Sequence, residues 1–494
     1  MRGPTPRVTR TLAVLAGLSS ASLGSLGPAY AAPPHGAATP VDVSGGSDPF
    51  ASCTADDVDA QEATFGSTLY PGAEVEPRLA VDPTNPLNLA GLFQQDRWSD
   101  GAARGLVAAI SHDGGKTWKR VVLPGVSKCS GGPANRATDP WISFGPNGTL
   151  YASAQTADAP FSPGGVTVSR STNGGDSWEA PVTLIDDTYI ASFNDKESVT
   201  ADPQNANIAY VVWDRFISPP SGTAADQGAF RARSFRQETW FSRTTNGGVS
   251  WEPARAIYNQ ATQGGTFGNI ITVLPNGDLV DGFILFAVHR QKLLANIALI
   301  RSHDKGATWS NVATLIAPLD LSFFGAYDPD NGNPIRTGGA PDFAVDPVSG
   351  KLYAVWEDDT QGSGVDAIQF SQSGDGGMTW SPPVKINQTP STVPAPDQQA
   401  FTATVRVAAD GTVGVTYYDL RQNTPTPGLP TNYWLARCHI SCTNSASWVE
   451  THVAGPFDEE QAAFAGGYFV GDYEGMVTNG TTFEPLFAQA VSQA

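Results

Sequence analysis

Short apolar runs recur in pairs along this chain. The first run of each pair stops near an Asp-Pro or Gly turn, and the second stops in charged residues. PRLAVDP leads to LNLAGLFQQDR, KESVTADP to IAYVVWDR, PDFAVDPVSG to KLYAVWEDD, and VRVAADG to TVGVTYYDLR. Apolar runs this short, bounded by turn residues, predict strands, and the tight turn between the members of a pair predicts a hairpin. First strands are expected to begin near Glu76, Asp139, Lys196, Asn269, Asp342, Phe401 and Asp472.

Between the pairs an octet repeats. It reads SHDGGKTW at 111–118, STNGGDSW at 171–178, TTNGGVSW at 244–251, SHDKGATW at 302–309 and SGDGGMTW at 373–380. A worn copy, SCTNSASW, occupies 441–448. Successive starts lie 60, 73, 58, 71 and 68 residues apart, a spacing that suits one four-stranded sheet per repeat. Asp or Asn at the third position can accept from backbone amides, and Gly at the fifth supplies a positive φ. The octets therefore predict turns, and Asp113, Asn173 and Asp375 are read as structural.

The octet is similar to the Asp-box of sialidases and related propellers. That resemblance implies an all-β fold, a β-propeller of four-stranded blades with Asp-box turns. Seven first-strand starts against six octets leave six or seven blades, with seven favoured. Residues 54–75 are expected to add the outer strand that closes the ring.

The amino terminus adds a compartment. Arg2, Arg7 and Arg10 precede an apolar stretch from Thr11 to Leu26, and Ala29-Tyr30-Ala31 has the small-x-small form that signal peptidase reads. A secretory leader is expected over 1–31, a flexible Pro/Gly/Ala-rich lead-in over 32–50, and a single propeller over 51–494. The protein is expected outside the cell. No other stretch reaches the roughly 20 apolar residues of a membrane span. A net charge of −19 disfavours nucleic acid and anionic membrane surfaces. Four cysteines in an oxidising compartment predict disulfides: Cys438 with nearby Cys442, and Cys53 with Cys129 by elimination. No histidine pair accompanies them, so no zinc site or other cofactor is expected. Asp328, Asp330, Asn331 and Asn333 surround Gly332 as in calcium loops, though a plain surface loop is favoured. A monomer is expected.

In Asp-box propellers the octet turn lies on one face of the disk, so first-strand starts and second-strand ends gather on the other. There the chain places Arg78, Arg97, Arg215, Arg421, Asp139, Asp195 and Tyr418 as candidate substrate-binding residues. Several arginines at one mouth suit an anionic or polyhydroxyl ligand. By position Arg78 resembles the first of three arginines that hold sialic acid, and Asp100 the loop acid/base. Tyr473, in GDYEGM, resembles the sialidase nucleophile, with Tyr418 its competitor; Glu474 or Glu197 would activate it. The match departs from the family at Arg78-Leu79-Ala80, where sialidases have Arg-Ile-Pro, and at Ile270, where they carry the activating Glu.

Three functions follow. A secreted exo-α-sialidase would use Tyr473 as nucleophile with retention. A glycosidase or lyase acting on another anionic glycan, or a glycosidase of another type, would instead use two of the carboxylates Asp139, Asp195, Glu197, Asp214 and Glu357 directly. A non-catalytic glycan- or protein-binding propeller would stack ligands on Trp98, Trp141, Trp213, Trp240 or Trp356.

Overall fold

The computed structural model describes residues 12–14, 39–160, 162–189, 192–217, 236–259, 264–290, 292–320, 325–359 and 365–491. Strands dominate, and the described residues contain one α-helix, α1 (Val58–Phe65). Seven strands head successive sheets: β1 (Leu69–Val81), β2 (Arg136–Phe144), β3 (Ser192–Ala201), β4 (Gly264–Val273), β5 (Asp342–Val345), β6 (Ala400–Val407) and β7 (Gly475–Asn479). Each of the first six is followed by three antiparallel partners in chain order. Each head strand touches the next, and β7 touches β1, so the seven heads form a closed ring. Apolar faces of adjacent sheets bury Trp213, Trp356 and Phe93 completely.

Both ends of the chain build the seventh sheet. β7 pairs with Thr482–Ala488, which pairs with Leu12–Val14 and then Val41–Asp42. Residues 54–75, expected to supply this closing strand, do not. They form α1, with Asp57 accepting from the Ala60 amide at its start and Gly66 ending it, and then enter β1. Residues 32–50 are corrected in part. Among the described residues 39–50, Val43 and Phe50 are buried. Gly105 makes room for the Phe50 ring; a Cβ there would lie 2.5 Å from it. The expected leader lies outside the described residues except for Leu12–Val14. Both expected disulfides, Cys53–Cys129 and Cys438–Cys442, are present, and no described helix is long and apolar enough to cross a membrane.

The octets are turns held by one side chain. Asp113 Oδ1 accepts from the amides of Lys116 and Thr117 at 3.0 and 2.9 Å, while its Oδ2 accepts from the Thr117 hydroxyl at 2.6 Å. Asp304 and Asp375 repeat the hydroxyl bond at 2.6 Å. These bonds hold all three carboxyls down at about 2. The worn copy is braced by its disulfide, and the Trp448 indole donates to the Cys442 carbonyl at 2.9 Å.

A second repeat ties neighbouring sheets together. The arginine just before an octet reaches the fourth-position carbonyl of the next octet: Arg170 to Gly247 at 2.7 Å, Arg243 to Lys305 at 2.6 Å, Arg301 to Gly376 at 3.0 Å. A charged donor to such a carbonyl contributes about 1.5–3 kcal/mol. Arg243→Ala is therefore expected to lower the thermal midpoint by several degrees, and Arg243→Lys to recover only part of it. Equal midpoints for wild type and Arg243→Ala in a melting scan would refute the clasp.

Candidate active site

Five of the seven head strands share one irregularity. Pairing slips between Val75 and Arg78, Thr138 and Trp141, Asp195 and Ser198, Phe267 and Ile270, and Phe401 and Thr404. Within each slip one residue has a left-handed backbone: Glu76 at φ 54°, Asp139 at 50°, Lys196 at 52°, Gly268 at 73° and Thr402 at 54°. Bulges of this kind re-aim side chains. Here they bring groups from separate sheets together inside the ring.

Lys196 is the hub. Its Nζ lies 3.1 Å from Asp139, 3.3 Å from Glu76 and 2.5 Å from Asp472, all buried. Arg336 grips Asp472 with Nε at 3.0 Å and Nη2 at 2.7 Å. Burial alone would raise the Asp139 and Asp472 carboxyls, but Lys196, joined at Asp472 by Arg336, holds them below the usual range. Other acids go the opposite way. Burial pushes Glu76 up to about 8, with Lys196 opposing and Asp139 and Asp472 reinforcing. Burial and the Asp139 charge also raise Asp195 and Glu197 well above the carboxylate range. Lys196 and Arg336 thus outweigh burial at Asp139 and Asp472, whereas burial outweighs Lys196 at Glu76, Asp195 and Glu197.

Beside this cluster lies a narrow cavity of about 20 Å³, lined by Arg78, Trp141, Glu197, Asn269, Asp342 and Tyr473 among others. Such a volume holds about one water. The Arg78 guanidinium sits 3.4 Å above the Trp141 ring, donates to the Glu474 carbonyl at 3.1 Å and lies 3.8 Å from Asp342. Asp342 Oδ2 accepts from Arg406 at 2.8 Å. Among the described residues, four polar atoms here have no side-chain hydrogen-bond partner: both Glu197 oxygens, Asp342 Oδ1, which faces Arg78 Nη2 at 3.8 Å, and Arg78 Nε. The Tyr473 hydroxyl donates to the Pro140 carbonyl at 3.1 Å. Burial, then the charges of Glu76, Asp139 and Glu197, raise that phenol well above 10.

Of the expected site residues, the ring gathers Arg78, Glu197 and Tyr473 at the cavity, with Asp139 and Asp195 in the adjoining cluster. Others go elsewhere, each because it has a partner nearby. Asp100 is held by Arg136 at 2.7 Å and by the Ser67 hydroxyl, and does not line the cavity. Glu474 accepts from the Tyr418 hydroxyl at 2.7 Å, and both are buried and do not line the cavity. Arg215 forms a two-point pair with Asp187. Arg421 pairs with Asp419 and Glu450. Arg97 is buried against Gln94, its Nη1 donating at 2.7 Å. Trp98, Trp213 and Trp356 are core, leaving Trp141 at the cavity.

Asp328 and Asn331 accept from amides of their own loop, at Asp330 and Asn333. Sequence reading missed Arg336, which no motif marks, and the central role of Lys196. A wider groove of about 440 Å³ lies on the octet side, but His303 pairs there with Asp278 at 2.9 Å and Arg301 with Gly376.

Removing Lys196 would leave buried carboxylates unpaired, a loss of about 3–5 kcal/mol. Lys196→Met is expected to unfold at markedly lower denaturant, and an unchanged midpoint would refute the hub. Glu76 carries a pH signature. The folded state holds its proton up to about pH 8, whereas the unfolded chain releases it near pH 4.5. Its contribution to stability therefore declines as pH rises through that window. Glu76→Gln should flatten the decline, as read from denaturation midpoints across pH 4–9.

Residues 109–120 match the model of the BNR/Asp-box repeat. No curated protein matches the chain. Among solved structures it is similar to the Hadza microbial sialidase Hz136, at 14% identity over 83% of this chain and 74% of that one, TM-score 0.46. It is also similar to the leech intramolecular trans-sialidase, at 10% identity over 86% and 92%, TM-score 0.45. A third is the α-L-arabinanase of Penicillium chrysogenum, at 14% identity over 70% and 88%, TM-score 0.45. By this repeat the chain is similar to the BNR/Asp-box proteins.

Proposed function

We propose that the protein is a secreted glycoside hydrolase on a seven-bladed Asp-box propeller, working at the axial cavity with Glu197 as proton donor. One observation carries the reading. Glu197 is almost fully buried, faces the cavity, and neither of its oxygens has a side-chain partner among the described residues. A carboxyl kept protonated by burial and by a neighbouring carboxylate is what protonation of a glycosidic oxygen needs near neutral pH.

In this reading the bond between the anomeric carbon and the glycosidic oxygen breaks as that oxygen takes the Glu197 proton. Water adds to the anomeric carbon and gives its proton to the Asp342 carboxylate. Tyr473, whose phenol is hard to ionise, is a wall of the site. The sialidase-type alternative makes Tyr473 the nucleophile and Glu197 its base. A non-catalytic propeller is the second reading, favoured by an axial cavity that holds only about one water.

Turnover of a panel of 4-methylumbelliferyl glycosides, sialoside included, tests this. Glu197→Gln is expected to lose about 10²–10⁴-fold in kcat, while Asp100→Ala stays near wild type. Tyr473→Phe should keep most activity, whereas its complete loss would establish the tyrosine nucleophile. Activity should fall as pH rises through the raised Glu197 pKa. No turnover on any glycoside by folded protein would favour binding alone.

A further inference from the structure

Leu12–Val14 stands inside the expected leader, yet it forms a strand of the seventh sheet. Its register with the last strand of the ring sets Leu12 against Ala488, Ala13 against Phe487 and Val14 against Leu486. On its other side Ala13 faces Asp42 and Val14 faces Val41. Thr482–Ala488 reaches Val41–Asp42 only through these three residues.

Cleavage after Ala31 takes the middle strand away. The two neighbours are anchored too firmly to close up and meet. Val43 and Ser44, directly after Val41–Asp42, are buried, and Asp42 Oδ1 accepts from the Ser44 amide at 3.0 Å. Leu486, Phe487 and Ala488 are buried in the same apolar cluster as Val43, and their strand is paired on its inner side with β7. The edges stay two strand spacings apart, about 10 Å. Each then presents backbone N–H and C=O groups with no strand opposite.

The chain ahead of Val41 is poorly suited to fold back into that gap. A tight return there would put Thr39 and Pro40 at its corner. Two-residue hairpin turns need a positive φ at the first central position, which suits Gly, Asn or Asp and strains a β-branched Thr.

We infer that the mature protein presents this gap as a strand-acceptor site for an extended apolar peptide segment of another protein. The segment adds between Leu486–Ala488 and Val41–Asp42 by main-chain hydrogen bonds. The inference rests on removal of the leader, as in the secreted reading. Recognition of this kind draws affinity from the backbone and selectivity from alternating side chains. The segment seated there reads Leu-Ala-Val, short and apolar with every N–H intact. Pro485 has no N–H to offer, so pairing weakens beyond Leu486.

The test uses the chain recovered from the culture medium, its first residue read by mass spectrometry, and a synthetic peptide of residues 9–17, TRTLAVLAG. A control peptide carries Ala13→Pro, which removes the central N–H. The gap-facing amides of 486–488 are expected to exchange fast in the mature chain and at least tenfold more slowly with the peptide. The melting midpoint should climb with peptide concentration. The proline peptide should do neither.

Slow exchange without any peptide means that the chain fills its own gap, and overturns the inference. Equal effects of the two peptides mark unspecific adhesion and overturn it too. A recovered chain that still begins at Met1 overturns the leader reading and the gap together. A chain that begins at Ala32 and ignores the peptide overturns the gap alone. Glycoside turnover by the same preparation tests the hydrolase reading separately.

Discussion

A buried ammonium in contact with three carboxylates sets the terms for everything at the axis. Lys196 reaches Asp139 and Glu76, in the second and first sheets, and Asp472, in the segment that leads into β7. It can do so only because the third head strand bulges at φ 52° and turns that side chain inward. Taking an ammonium and the Asp139 and Asp472 carboxylates out of water is expensive, and only close pairing offsets it. The arrangement therefore ties the seventh sheet, which holds the carboxyl end, to the sheets that begin the ring. Stability and electrostatics share one residue.

The opposite side of the molecule works differently. There the octets need no buried charge: each is held by a single Asp or Asn accepting from its own turn, and an arginine clasp links some neighbours. Exposed carboxyls that are ionised down to about pH 2 impose little on their surroundings. Repetition suits such self-contained turns, which is why the octets are nearly identical. The axial positions are all different, since each contributes one part of a shared cluster. Glu76, Asp139, Lys196, Gly268 and Thr402 hold equivalent backbone positions with five unlike side chains.

That contrast explains what could be read from the sequence. Strand pairs and octets repeat, so the sheets and the first-strand starts were legible close to where they lie. The bulge went unread, because it has to be counted rather than matched. It falls six residues before the turn residues Asp82, Gly145, Asp202, Leu274 and Ala408, at Glu76, Asp139, Lys196, Gly268 and Thr402. Partner choice was not legible. Arg215 and Arg421 sit at strand ends as expected of mouth residues, yet Asp187 and Glu450, distant in sequence, claim them. Arg336 follows no repeat and reaches Asp472 across 136 residues of chain. The closing strand failed for a local reason: Asp57 and Gly66 cap a helix where an outer strand was expected.

Position alone would make Tyr473 the reactive group, because it heads the last repeat as the sialidase tyrosine does. The surroundings argue otherwise. A phenol becomes a nucleophile when something stabilises its anion, and here burial and the charges of Glu76 and Asp139 oppose that anion, with Arg78 pulling the other way. The same burial acts on Glu197 with the opposite consequence, since a carboxyl that keeps its proton is more useful as an acid than one that has lost it. Lys196 does not cancel the effect, because Asp139 and Asp472 already absorb its charge. One electrostatic field thus raises both groups, which in the proposed reading favours the glutamic acid over the tyrosine. The chemistry of this ring is accordingly better sought in its carboxyl groups than in the residue that family resemblance singles out.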